Sequence, residues 1–151
     1  MPPYGRWEPF SKEARLLWNQ FIGVAEPERV TRIAVRYINR LEIPLPIDDF
    51  ADYLRVGPQV SSDLPQALSS FVVQLRIPQP EMDNCMLVLN EGILPSTQPD
   101  RMAVLLDIDV FKEAALPADS PEVWDIVETL RDCKNRTFEA CITDRTRELI
   151  R

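Results

Sequence analysis

Three arginines, Arg32, Arg36 and Arg40, recur at every fourth position of the stretch RIAVRYINRLEI. A guanidinium fork matches a carboxylate or phosphate through two parallel hydrogen bonds. A row of three could therefore hold an anion. In the same stretch Ile33, Val35, Tyr37, Leu41 and Ile43 take the opposite parity, so an extended chain would carry arginines on one side and apolar groups on the other. Arg76 in FVVQLRI, and Asp107 and Asp109 in LLDIDVF, have the parity to join that charged face. Opposite charges on neighbouring strands would pair there, each contributing roughly 0.2–1 kcal/mol. Asp107 and Asp109 also have the composition of a Mg²⁺ site, but adjacent arginines would compete with the ion, so neither metal nor cofactor is expected. No catalytic set is identifiable.

The elements that must position these residues are outlined by the prolines. Fourteen prolines against four glycines leave proline-free gaps at 10–26, 28–43, 66–77, 81–94, 100–116 and 122–151. Proline interrupts both helices and sheet ladders, so the gaps should be the structured elements. In the first, Ser11 can cap a helix whose apolar stripe is Ala14, Leu17, Trp18, Phe21 and Ala25. The arginine stretch alternates with period two as a half-buried strand. IDDFADYLRV predicts a short helix capped by Asp48 or Asp49 and ended by Gly57-Pro58. FVVQLRI (71–77) and CMLVLN (85–90) predict neighbouring strands joined by a loop, and RMAVLLDIDVF (101–111) a further strand. Ser120 and Pro121 open a long helix with Val123, Ile126, Val127, Leu130, Cys133 and Thr137 on one stripe. Thr143 can restart a last helical turn anchored by Leu149 and Ile150.

Seventeen basic residues against twenty-four acidic ones give a net charge of −7, which argues against binding nucleic acid through the overall field. The longest unbroken apolar run, Met102 to Leu106, falls far short of the ~20 residues that span a bilayer. MPPYGRWEPF lacks the pattern of a secretory leader, and a cytoplasmic location is expected. Cys85, Cys133 and Cys141 form an odd set; the last two, eight residues apart on one helix, would be separated by ~12 Å and read as buried thiols.

Four segments, PYGRWEPF at 3–10, RVTRIAVRYINRLEIP at 29–44, LLDIDVF at 105–111 and LRDCKNRTFEACITDRTRELI at 130–150, together resemble a sporadically distributed prokaryotic family of conserved hypothetical proteins with no assigned activity. The resemblance is to the C-terminal portion of that family. It implies a further N-terminal portion ahead of the first segment and carries over no functional residue.

These readings converge on a single α+β domain over residues 1–151, with a mainly antiparallel sheet of about four strands and helices packed on one face. The helices would cover Ile33, Val35, Tyr37, Phe71, Val73, Leu75, Leu106 and Ile108. The other face would mix Arg32, Arg36, Arg40, Arg76, Asp107 and Asp109 with Ile38, Val72, Met86, Val88 and Leu105. A sheet face open to water normally alternates to polar, so this mixture implies a covering layer. The expected function is a non-enzymatic protein-interaction or oligomerisation module, with a protein partner or a second copy as that layer. The alternative is a small-ligand or anion-binding protein, or an enzyme on phosphorylated or carboxylated substrates, using the arginine-lined face.

Overall fold

The computed structural model describes residues 5–150. Helix α1 (Trp7–Ala25) leads into strand β1 (Arg29–Pro44), a 3-10 turn (Phe50–Asp52), strands β2 (Val72–Pro78), β3 (Cys85–Leu94) and β4 (Arg101–Pro117), and helices α2 (Glu122–Cys141) and α3 (Asp144–Leu149). The four strands form one sheet in the order β1-β4-β3-β2, antiparallel throughout. This is the α+β arrangement expected from the alternation of β-branched runs with amphipathic stretches.

β4 is the central pillar. Val104, Leu106, Ile108 and Val110 point to one side and are fully buried, each worth about 1.5–3 kcal/mol. Beside them on β1 lie Ile33, Val35, Leu41 and Ile43, and on β3 Leu87 and Leu89. Helix α2 closes this side with Val123, Leu130, Cys133 and Cys141. It starts one residue later than read, at Glu122 with Pro121 in the cap position, and Ser120 Oγ just ahead accepts from the Glu122 amide at 3.3 Å. α2 lies across β1 and β4, so Leu75 and Ile77 on the far strand β2 stay partly exposed rather than covered.

Three local expectations are corrected. α1 begins at Trp7, with Ser11 buried inside the helix rather than capping it. Pro9 sits in the first turn, where an amide hydrogen has no intrahelical acceptor to lose. The stretch after Asp48 makes only a 3-10 turn. Asp49 does cap it, accepting from the Ala51 amide at 2.8 Å. The chain then turns extended because Leu54 bridges to Ile142 and the Arg55 amide donates to the Cys141 carbonyl at 2.8 Å. At the C-terminal end Thr143 caps α3, but Leu149 and Ile150 remain exposed. The anchor is Thr146, whose hydroxyl donates to the Tyr53 carbonyl at 2.5 Å.

Gly92 on β3 shows why one strand position excludes a side chain. A Cβ there would stand 2.9 Å from the carbonyl oxygen of Phe71, the residue just before β2, closer than such atoms approach.

Candidate interaction surface

The side of the sheet away from α2 carries Arg32, Ala34, Arg36, Ile38, Arg40 and Glu42 on β1. Beside them stand Glu113, Phe111, Asp109, Asp107, Leu105 and Ala103 on β4, placed there by the antiparallel register. Met86, Val88, Asn90 and Leu94 continue it on β3, and Val72, Gln74 and Arg76 on β2. The parity of the arginine stretch thus holds along β1. The helices contact the opposite side, so this face is left open by the described chain.

The arginines meet acids rather than empty space. Arg36 binds Asp107 through two bonds of 2.8 Å, Nε to Oδ1 and Nη2 to Oδ2. Asp107 is only 3% exposed despite lying on the open face. Arg36 shields one side of it and the Asn90 amide donates to Oδ2 at 3.0 Å from the other. Gln74 in turn donates to Asn90 Oδ1 at 2.6 Å. A single polar row, Gln74–Asn90–Asp107–Arg36, therefore crosses all four strands. The hydrogen bond and charge of Asp107 raise the Arg36 pKa further above its ordinary value.

Arg32 stretches over the Phe111 ring, its guanidinium carbon 4.2 Å from the centroid, and reaches Asp109 at 3.1 Å. Arg40 pairs with Glu42 at 2.7 Å on its own strand and donates to the Pro95 carbonyl at 2.9 Å. Arg32, Arg36, Asp107 and Asp109 are thus brought together, and Arg40 lies at the margin. Arg76 stands apart on exposed β2, at a cleft of about 430 Å³ lined also by Met86, Asn84 and Phe111. Arg32, Arg36 and Arg40 each already have a carboxylate, and the carboxylates of Asp107 and Asp109 are held by arginines. The arrangement ties strands together and presents a mixed surface of balanced charge.

A second exposed surface, rich in apolar residues, is on α1. The face of the helix that turns inward carries Trp7, Ser11, Trp18 and Ile22. Trp7 Nε1 donates to the Glu128 carboxylate at 2.9 Å and Trp18 Nε1 to the Ala118 carbonyl at 3.1 Å. The expected stripe does not bury as a unit: Leu17 and Phe21 are 56% and 49% exposed. With Phe10, Ala14 and Val24 they form a seam spaced alternately four and three residues apart, the spacing that packs against another helix. The seam borders an open groove of about 450 Å³ walled by Val30, Arg32 and Ile33 of β1 and by Val123 and Trp124 of α2.

On the covered side the amine of Lys134 and the carboxyl of Glu91 are buried. Lys134 is buried with Nζ 3.5 Å from the centroid of the Tyr37 ring, and burial followed by the nearby Arg131 charge lowers its pKa. Glu91 of β3 is fully buried, and neither carboxyl oxygen has a hydrogen-bond partner. Its Oε1 lies under Gly57 beside Phe50, and burial pushes its pKa up to about 7. Burial, with a smaller contribution from Glu91, raises the Cys141 thiol to about 11, and burial raises Cys85 and Cys133 as well. These three free thiols are therefore poor nucleophiles at neutral pH.

Sequence reasoning missed the α1 seam, Glu91, and the Gln74 and Asn90 links. The four-three spacing from Phe10 to Val24 was the one signal available for the seam. Among the described residues no helix is long and apolar enough to cross a membrane. No family model, curated protein or solved structure matches the chain.

Proposed function

We propose that this chain is a non-enzymatic interaction module that associates with protein, a second copy or another chain, along the β1 side of the molecule. One observation carries the reading. The exposed apolar seam of α1 and the groove beneath it adjoin the start of the edge strand β1, and the 66%-exposed Ile38 stands on the face of that strand that the helices do not cover. Apolar surface so concentrated is typical of an interaction site. The ligand-binding alternative has less support, because Arg32, Arg36 and Arg40 are engaged by Asp109, Asp107 and Glu42. A cytoplasmic setting is part of the same proposal and fits three unpaired buried cysteines. So is membership of the prokaryotic family that the sequence resembles, whose shared segments fall on α1, β1, β4, α2 and α3.

Substituting Leu17→Asp together with Phe21→Asp tests the reading. Association followed by light scattering should weaken at least tenfold. Unfolding free energy should stay within roughly 0.5 kcal/mol, because exposed positions contribute little to the fold. A wild-type protein that is monomeric and binds no hydrophobic dye would overturn the proposal.

A further inference from the structure

We propose that the outer edge of β1 pairs with β1 of a second copy, antiparallel about Tyr37, so that Arg32 of each copy faces Glu42 of the other. The inference rests on the interaction-module reading and specifies its partner.

β1 ends the sheet, and no backbone hydrogen bond joins its outer side to another segment of the described chain. Exposed edges are usually blunted by being short, by proline or lysine, by bulges, or by a covering segment. The opposite edge, β2, follows that rule, with seven residues ending in Pro78. β1 does not. From Ile33 to Ile43 it holds no proline, glycine or lysine, and its register shifts only between Val30 and Arg32. Its arginines do not guard the edge, since Arg36 and Arg40 are drawn to Asp107, Glu42 and Pro95.

Charge then selects one register. If both helical layers are to stay on one side of a continuous sheet, residues opposite each other must share a face. Two registers meet this condition and pair nearly the whole strand. Centring on Arg36 sets that residue against itself and Arg32 against Arg40, three like-charge contacts that disfavour pairing. Centring on Tyr37 opposes Arg36 to Ile38, Ala34 to Arg40 and, at both ends, Arg32 to Glu42. No like charges meet. On the covered side Ile33 then opposes Leu41. Arg32 has capacity left, since it uses only Nη2 for Asp109, and the Glu42 side chain is 28% exposed beside Arg40.

Paired cysteines read the register directly. Ala34 and Arg40 are exposed and six residues apart on one strand, too far to bridge within a chain. Under mild oxidation Ala34→Cys/Arg40→Cys should give a covalent dimer on a non-reducing gel, and Ala34→Cys/Ile38→Cys, which fits the Arg36-centred register, should not. Arg32→Glu and Glu42→Arg should each weaken dimerisation about tenfold, and their combination should restore it. Circular dichroism confirms that each variant is folded. A dimer that forms no 34–40 link, or links 34–38 equally well, overturns β1 pairing and leaves the module reading standing. A wild-type monomer at every concentration overturns both.

Discussion

Replacing Glu91 with methionine should stabilise the protein far more at pH 8 than at pH 4.5, with the difference in unfolding free energy changing by about 3 kcal/mol between them. At pH 8 this corresponds to a rise in melting temperature of roughly 5–10 °C. The buried carboxyl has no hydrogen-bond partner, and burial pushes its pKa from 4.5 to about 7. Below pH 4.5 it is protonated in folded and unfolded chains alike, and its full contribution is retained. As pH rises from 4.5 to 7, the unfolded chain ionises while the folded chain keeps its proton. Unfolding then releases a proton, and stability falls until the folded group also ionises. Above pH 7 the whole loss is present. Methionine is unbranched like glutamate, suits the apolar surroundings of Phe50 and Leu106, and removes the titration. Urea denaturation at the two pH values measures the effect. An equal gain at both would mean that Glu91 ionises in the folded chain without penalty.

Asp107→Ala should have the largest effect on the open face, a loss of about 2–3 kcal/mol. Removing one member of a buried ion pair costs about 3–5 kcal/mol when the remaining charge is sealed off. Arg36 is half exposed and can rehydrate, which lowers the figure. The Asn90 amide also loses its acceptor. Asp109→Ala should cost less than about 1 kcal/mol, since that residue is more exposed and takes a single bond from Arg32. Thermal denaturation of the two variants side by side decides it. Equal losses would show that the four-strand polar row contributes nothing beyond its separate pairs.

The assignment of β1 to two faces was legible because period two survives wherever one side of a strand is buried. Ile33, Val35, Leu41 and Ile43 show this directly. That arginines and aspartates would meet also followed from parity. Which aspartate takes which arginine did not. Arg36 stands opposite Asp109 yet binds Asp107, and Arg32 stands opposite Glu113 yet crosses Phe111 to reach Asp109. Long side chains lean along the strand, and that choice depends on every neighbour at once. The burial of Glu91 was hidden for a similar reason. In CMLVLNEGIL it reads as the polar end of a strand, and only the distant turn at Phe50 and Gly57 closes over it. On α1 the apolar pattern was visible, but not that Leu17 and Phe21 would face outward while Trp7 and Trp18 docked on Glu128 and Ala118. A helix with two apolar seams does not declare which one its own domain uses.

The proposed role requires another protein chain to cover the β1 side of this molecule. Native mass spectrometry of the protein purified from its own cells tests it most directly. A complex is expected, a dimer of the 17.4 kDa chain or that chain bound to a different protein. A lone 17.4 kDa species at every concentration, with α1 and the β1 edge freely accessible, would contradict it.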